Sequence, residues 1–260
     1  MLATEDKVLI HFNTNDFCLY ILKGNDLTMQ YKKTIAFGTC FVDEILLKEI
    51  YQFLDGLREV IGDVNNERIR LYATGIFQKF APLVQTQLII EIFVRYGLYF
   101  NIVQPELEHF YLQNNQSTDS PPNIIRGLVH QEFRRVVICG SFQQHLKNIG
   151  EVIKILHNHN IEVLSPWTTE IRPETVGTNF LLLKGQAPLR NERDAWKHKY
   201  VHMHKFIDSD AIIVCNPDGL IGAGTMFEFG FMVANSKRII FTERPKDLSI
   251  LFPYEVGLNF

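Results

Sequence analysis

The sequence predicts an α/β protein: in the C-terminal half a parallel sheet with helices on its faces, and before it a smaller α/β domain. Three observations lead there. Short apolar runs of strand length alternate with segments of helical periodicity. The runs RVVIC (Arg135–Cys139) and AIIVC (Ala211–Cys215) are apolar almost throughout, as strands covered on both faces are. One polar stretch, QNNQSTDSPPN from Gln113 to Asn123, has linker chemistry and divides the chain into near-equal parts.

In the first half, Lys7 to Leu22 places two apolar runs around the polar NTND segment, which reads as a β-hairpin. A third strand is expected over Thr28–Phe37. Apolar residues at Ile45, Leu46, Ile50, Phe53, Leu54, Leu57 and Ile61 predict a helix over Asp43–Ile61, with Asp43 as its cap. A strand over Ile69–Thr74, a helix over Val84–Tyr96 stopped by Gly97, and a strand over Tyr99–Val103 follow. In the second half, strands are expected at Arg135–Cys139, Ile161–Leu164, Ala211–Cys215 and Arg238–Phe241. Helices are expected at Gly150–His159, Asp194–Phe206 and Thr225–Ala234, and Pro166–Glu192 reads as a long, partly ordered loop. The domains are therefore drawn at 1–112 and 134–260, with a linker over 113–133.

Hydrophobic residues make up 46% and charged residues 21% of 260, an ordinary globular balance long enough for two cores. The net charge of −3 and the lack of a Lys/Arg run argue against direct nucleic-acid binding. No apolar run approaches the ~18 residues of a membrane span, and the start of the chain lacks a signal-peptide pattern. The four Cys (Cys18, Cys40, Cys139, Cys215) form no CxxC pair and read as reduced thiols of a cytoplasmic protein. The 20 Phe suggest bulky cores or an interface between subunits or domains.

Two loops at strand carboxyl ends carry the chemistry, where α/β sheets hold ligands. The first is Gly140-Ser141-Phe142, read either as a tight connection or as a close approach of backbone to ligand. The second runs from Asn216 to Gly230 and contains Asp218, Gly219, Gly222, Gly224, Thr225 and Glu228. Three Gly in the six residues Gly219–Gly224 cost chain entropy, and such loops bring N–H groups to a ligand at a helix N-terminus. Glu228 then lies about one turn into that helix among Met226, Phe227, Phe229 and Phe231, facing either a salt-bridge partner or a ligand. His198 and His202 share a helix face, but no nearby Asp, Glu or Cys completes a metal site, so neither a metal nor a cofactor is expected. Asp208 and Asp210 read as caps of backbone N–H groups or as chemical groups, Asp210 rather as structural.

With these residues in view, His204–Phe241 resembles the core of the nucleoside 2-deoxyribosyltransferase superfamily. The likeness rests on ICGS at Ile138–Ser141, SDAIIV at Ser209–Val214, DGLIGAGT at Asp218–Thr225 and EFG at Glu228–Gly230, and covers Arg134–Phe260. A more distant likeness links the Gly-rich loop to phosphoribohydrolases. The resemblance implies a Rossmann-like sheet and an N-glycosidase or transferase acting on a nucleoside or nucleotide, with Glu228 as nucleophile. His202 stands where members carry an Asp and is the expected proton donor, beside Asp210. It further implies a homo-oligomer whose C-terminal segment Pro253–Leu258 completes a neighbour's pocket, or else packs on its own domain.

The first half resembles the first lobe of the actin-like exopolyphosphatases through VLIHFNTNDFCLYI (Val8–Ile21), IRLYATGIF (Ile69–Phe77) and GLYFNIVQPELEH (Gly97–His109). His11 and Asn13 replace that family's Asp and Gly, and the second lobe is absent, so this half reads as a degenerate lobe kept for binding, regulation or oligomerisation. The competing function is a nucleotide sensor with little turnover, and a third is an assembly protein with a vestigial pocket.

Overall fold

The computed structural model describes residues 6–35, 44–61, 66–114, 125, 127–128, 132–178, 181–246 and 252–258. It is α/β, with two five-stranded sheets in two units, Met1–Glu132 and Phe133–Phe260.

In the first unit the strands are β1 (Lys7–Phe12), β2 (Asp16–Lys23), β3 (Asp26–Thr34), β4 (Ile69–Ala73) and β5 (Phe100–Ile102). The helices are α1 (Glu44–Ile61), α2 (Pro82–Tyr96) and α3 (Pro105–Asn114). The sheet order is β3-β2-β1-β4-β5, with β1, β2 and β3 antiparallel and β4 and β5 parallel to β1. The expected hairpin closes on Asn13, whose Oδ1 accepts from the N–H groups of Asn15 and Asp16 at 2.9 Å each. That Asx turn is the local reason for Asn at this position.

Alternation along β1 sorts its side chains. Val8, Ile10 and Phe12 pack with α1 and α2 residues, whereas Leu9 joins Tyr20, Tyr72, Leu107 and Tyr111 on the α3 side. Ile125 and Leu128, inside the stretch drawn as linker, are fully buried in that second cluster. Helix α3 escapes sequence reading because its apolar moment is weak; its buried Leu107 and Tyr111 do the anchoring. Residue Asp43, the proposed cap, Cys40 and most of Gln113–Asn123 lie outside the described residues.

His11 is buried in β1, and its Nε2 lies 2.9 Å from Thr74 Oγ1. Burial pushes its pKa down from 6.5 to about 4, against a smaller upward pull from the Asp16 carboxylate. The unfolded chain therefore takes up a proton before the folded one does. Stability from this neutral His is complete above pH 6.5 and is lost as pH falls toward 4. Between pH 7 and pH 5 the loss is about 2 kcal/mol at ~1.4 kcal/mol per pH unit. Urea titrations at both pH values should show that increment in wild type and not in His11→Gln; equal pH slopes would refute it.

The second unit contains β6 (Arg135–Gly140), α4 (Phe142–Asn158), β7 (Glu162–Ser165), α5 (Glu192–Asp208), β8 (Ala211–Cys215), α6 (Ala223–Ala234), β9 (Arg238–Phe241) and β10 (Glu255–Val256). All pairings are parallel, in the order β10-β9-β8-β6-β7. The chain starts at β6, winds to β7 and returns past β6 to β8, so the topological switch point lies between β6 and β8. Helix α4 covers one face through Ile149, Val152, Ile153 and Leu156. Helices α5 and α6 cover the other through Phe206, Phe229 and Met232.

Helix α4 begins eight residues before the expected Gly150, and its periodicity is interrupted by non-helical angles at His145. The segment between β7 and α5 is irregular, as expected, and is pinned by an isolated bridge between Ile171 and Leu183. The C-terminal segment packs on its own sheet: β10 pairs with β9, Phe252 and Tyr254 join the core, and Glu255 makes a forked ion pair with Arg238 at 2.7 and 2.9 Å. Among the described residues, no helix is long and apolar enough to cross a membrane.

Candidate functional site

A pocket of about 400 Å³ opens at the carboxyl ends of β6 and β7, beside the switch point. Its rim is built from two helix starts. Ser141 precedes α4 and Gly222 precedes α6, and neither helix is capped by the side chain of its own N-cap residue. The first N–H groups of a helix carry a partial positive charge, so two such ends lining one pocket favour an anion.

The glycines divide by purpose. Gly140 is held at φ +154°, and a Cβ there would lie 2.6 Å from the Cys215 carbonyl oxygen of the adjacent strand, so strand packing requires Gly. Gly222 and Gly224 have no such reason: a Cβ on either would meet nothing within 4 Å. Both line the pocket, and what their missing side chains preserve is open access to the start of α6.

Glu228 lies about one and a half turns into α6, 5% exposed, at the pocket wall. Lys199 of α5 donates to its Oε1, and His202 Nε2 stands 3.4 Å from the same oxygen. His202 Nδ1 lies 2.8 Å from Ser165 Oγ at the end of β7, which fixes the ring. Burial alone would raise the Glu228 pKa; the hydrogen bond and charge of His202, then the charge and hydrogen bond of Lys199, outweigh it and hold the carboxyl below its usual range. Cys139, next to last in β6, alternates onto the same face. Its thiol is pushed up by burial and by the neighbouring Glu228 carboxylate.

Of the residues expected from sequence, the structure gathers Gly140, Ser141, Phe142, His202, Gly222, Gly224, Thr225 and Glu228 around this pocket. Asp210 is elsewhere. It opens β8 at the opposite end of the sheet, where its Oδ2 accepts from the N–H groups of Arg134 and Arg135 at 2.9 and 2.8 Å. A catalytic part for Asp210 is therefore corrected to a structural one: it ties the starts of β6 and β8. Asp218 and Gly219 do not line the pocket either. Gly219 sits at φ +75° with Arg244 O 2.6 Å from a would-be Cβ, and the Asp218 N–H donates to Glu243 at 3.1 Å. They shape the turn that leads into the glycine-rich stretch.

Lys199 was missed by sequence reading, although its signal was present: it lies three residues before His202 on one face of α5. The expectation that no acid or thiol lies near the His pair is also corrected. Cys139 and Glu228, distant in sequence, reach His202, and one ligand atom from each lies within 4.8 Å of the others. His198 is not part of this group; its Nε2 lies 3.0 Å from the Ala187 carbonyl.

No family model and no curated protein matches the chain. Among solved structures it is similar to a Ppx/GppA enzyme of Aquifex aeolicus, with a TM-score of 0.35 and 14% identity over 81% of this chain and 67% of that one. It is likewise similar to an exopolyphosphatase from Cytophaga hutchinsonii, at 0.36 and 14% over 82% and 67%. The family named is the one the first-half motifs resemble, and nothing found supports the deoxyribosyltransferase resemblance of the second half. The expectation of cleavage or transfer at an N-glycosidic bond, with its N-glycosidase and transferase character, is corrected on this finding: the matching structures bear the names of exopolyphosphatases and Ppx/GppA phosphatases.

Proposed function

We propose that the pocket of the second unit binds a small phosphate-bearing molecule and that Glu228 is its acid–base group. The observation that carries this reading is the pair of helix starts, α4 and α6, lining one pocket without side-chain caps, with Lys199 and His202 also lining it. Phosphate oxygens satisfy N–H groups of this kind and complement the charge of the helix ends. Ser141 and Thr225 add hydroxyls at the same ends.

Glu228 faces the bound group as a carboxylate already paired with Lys199, so its task is to accept a proton rather than to repel the ligand. A water held by Glu228 against the phosphate would make the pocket hydrolytic. The names of the similar structures, exopolyphosphatase and Ppx/GppA phosphatase, agree with phosphate as the ligand chemistry without bearing on this pocket.

Calorimetry with a panel of phosphorylated small molecules and their dephosphorylated counterparts tests the reading, with inorganic phosphate release followed in parallel. Affinity for the phosphorylated members should exceed that for the counterparts by at least tenfold, about 1.4 kcal/mol. Gly224→Val, which fills the access to α6, should abolish that preference. Equal affinity for both sets would sink the proposal. Phosphate release lost in Glu228→Gln would establish hydrolysis, whereas binding without release would leave a binding site alone.

A further inference from the structure

We infer that Cys139, His202 and Glu228 form a divalent-metal site of the zinc class in the wall of this pocket. Each comes from a different regular element, β6, α5 and α6, so their positions are set by the sheet and its two covering helices. One donor atom from each lies within 4.8 Å of the others. Donors about a tetrahedral zinc, at ~2.0–2.3 Å from the ion, stand roughly 3–4 Å apart, so only a small closing movement is needed.

Two features go beyond proximity. His202 has its Nδ1 occupied by Ser165 Oγ at 2.8 Å, which aims Nε2 at Glu228. An outer partner that fixes the ring in this way is the usual companion of a metal-bound imidazole. The donor set is also informative: one sulfur, one nitrogen and one carboxylate oxygen suit zinc, whereas magnesium and calcium take oxygen. Three protein ligands leave a fourth position, and the three residues border an open pocket.

The charges balance. Entry of the ion releases the Cys139 thiol proton to solvent. Thiolate and carboxylate then neutralise the two positive charges of the ion. Lys199, on Oε1 of Glu228, adds one more positive charge to the cluster. The assembly therefore favours an anion there. A phosphate oxygen as fourth ligand is the one part of the inference that rests on the proposed ligand; the metal site itself does not.

The test uses the full chain, stripped with a chelator and free of phosphate ligands. Zinc is titrated by calorimetry and cobalt(II) by absorption. One ion per chain should bind, and cobalt should show a thiolate charge-transfer band that Cys139→Ser removes and Cys215→Ser keeps. His202→Asn should weaken zinc binding at least tenfold, and Ser165→Ala by roughly tenfold through the outer contact. No ion bound to folded wild type, or binding unchanged in both Cys139→Ser and His202→Asn, overturns the inference. If Cys139→Ser does not fold by circular dichroism, His202→Asn decides. Because no phosphate compound is present, failure here leaves the phosphate reading untouched, and failure there leaves the metal site standing.

Discussion

Phe12→Ala is expected to cost the first unit about 3–5 kcal/mol of stability, the range for removing a fully buried Phe ring. Phe12 is 0% exposed and is the hub of the aromatic core: its ring meets Phe17 at 4.6 Å, Phe100 at 5.3 Å, Phe53 at 5.7 Å and Phe77 at 6.4 Å between centroids. Those partners come from β2, β5, α1 and the turn after β4, so the lost ring leaves a cavity that no single neighbour can close. Beyond its buried area, each aromatic pair adds ~0.5–1.5 kcal/mol. Phe12→Leu keeps most of the volume and should cost clearly less. Urea unfolding with a probe in the first unit measures both variants. A loss below about 1 kcal/mol for Phe12→Ala would mean that the core rearranges around the gap.

The abundance of Phe was legible as a bulky core or an interface, and every strand but the two-residue β10 was legible because period-two and all-apolar runs mark covered faces. What the sequence concealed lies where local pattern and burial part company. Helix α3 has little amphipathic pattern, and the early turns of α4 are polar and interrupted at His145. Ile125 and Leu128 are buried although they follow a polar, proline-bearing stretch whose composition reads as linker. A side chain's burial depends on where the chain returns to, and composition alone does not contain that.

The pocket shows the same division. Glycine density marked the start of α6, and Glu228 was legible as a carboxylate set among apolar residues. The distinction between Gly219, which a turn requires, and Gly222 and Gly224, which nothing in the backbone requires, needed coordinates. So did the meeting of Cys139, His202 and Glu228, which come from three elements spread over much of the second unit. Asp210 drew attention through the family resemblance, although it precedes β8 and so stands at the amino end of that strand, away from the carboxyl ends where the pocket opens.

Lys199→Met is expected to be more damaging than Glu228→Gln, although both break the same ion pair. Removing the lysine leaves a nearly buried carboxylate with His202 as its nearby partner; the penalty for stranding such a charge is typically ~3–5 kcal/mol. Because Lys199 is 28% exposed, water reaches part of the gap. The expected loss is therefore nearer ~2–3 kcal/mol. Glu228→Gln leaves an ammonium that can swing toward solvent, at a cost of about 1 kcal/mol. The double variant should then recover most of what Lys199→Met lost, giving a coupling of ~2–3 kcal/mol in a double-mutant cycle. Urea titrations of the three variants at neutral pH supply the cycle. Additive losses would show that the pair does not interact in solution and would remove Lys199 from the site. Coupling would show that Glu228 is held as an anion by the protein before any ligand arrives. That is the state a proton acceptor needs in the metal-free pocket, and the state an incoming metal ion takes as ligand, in which Glu228 no longer serves as the base.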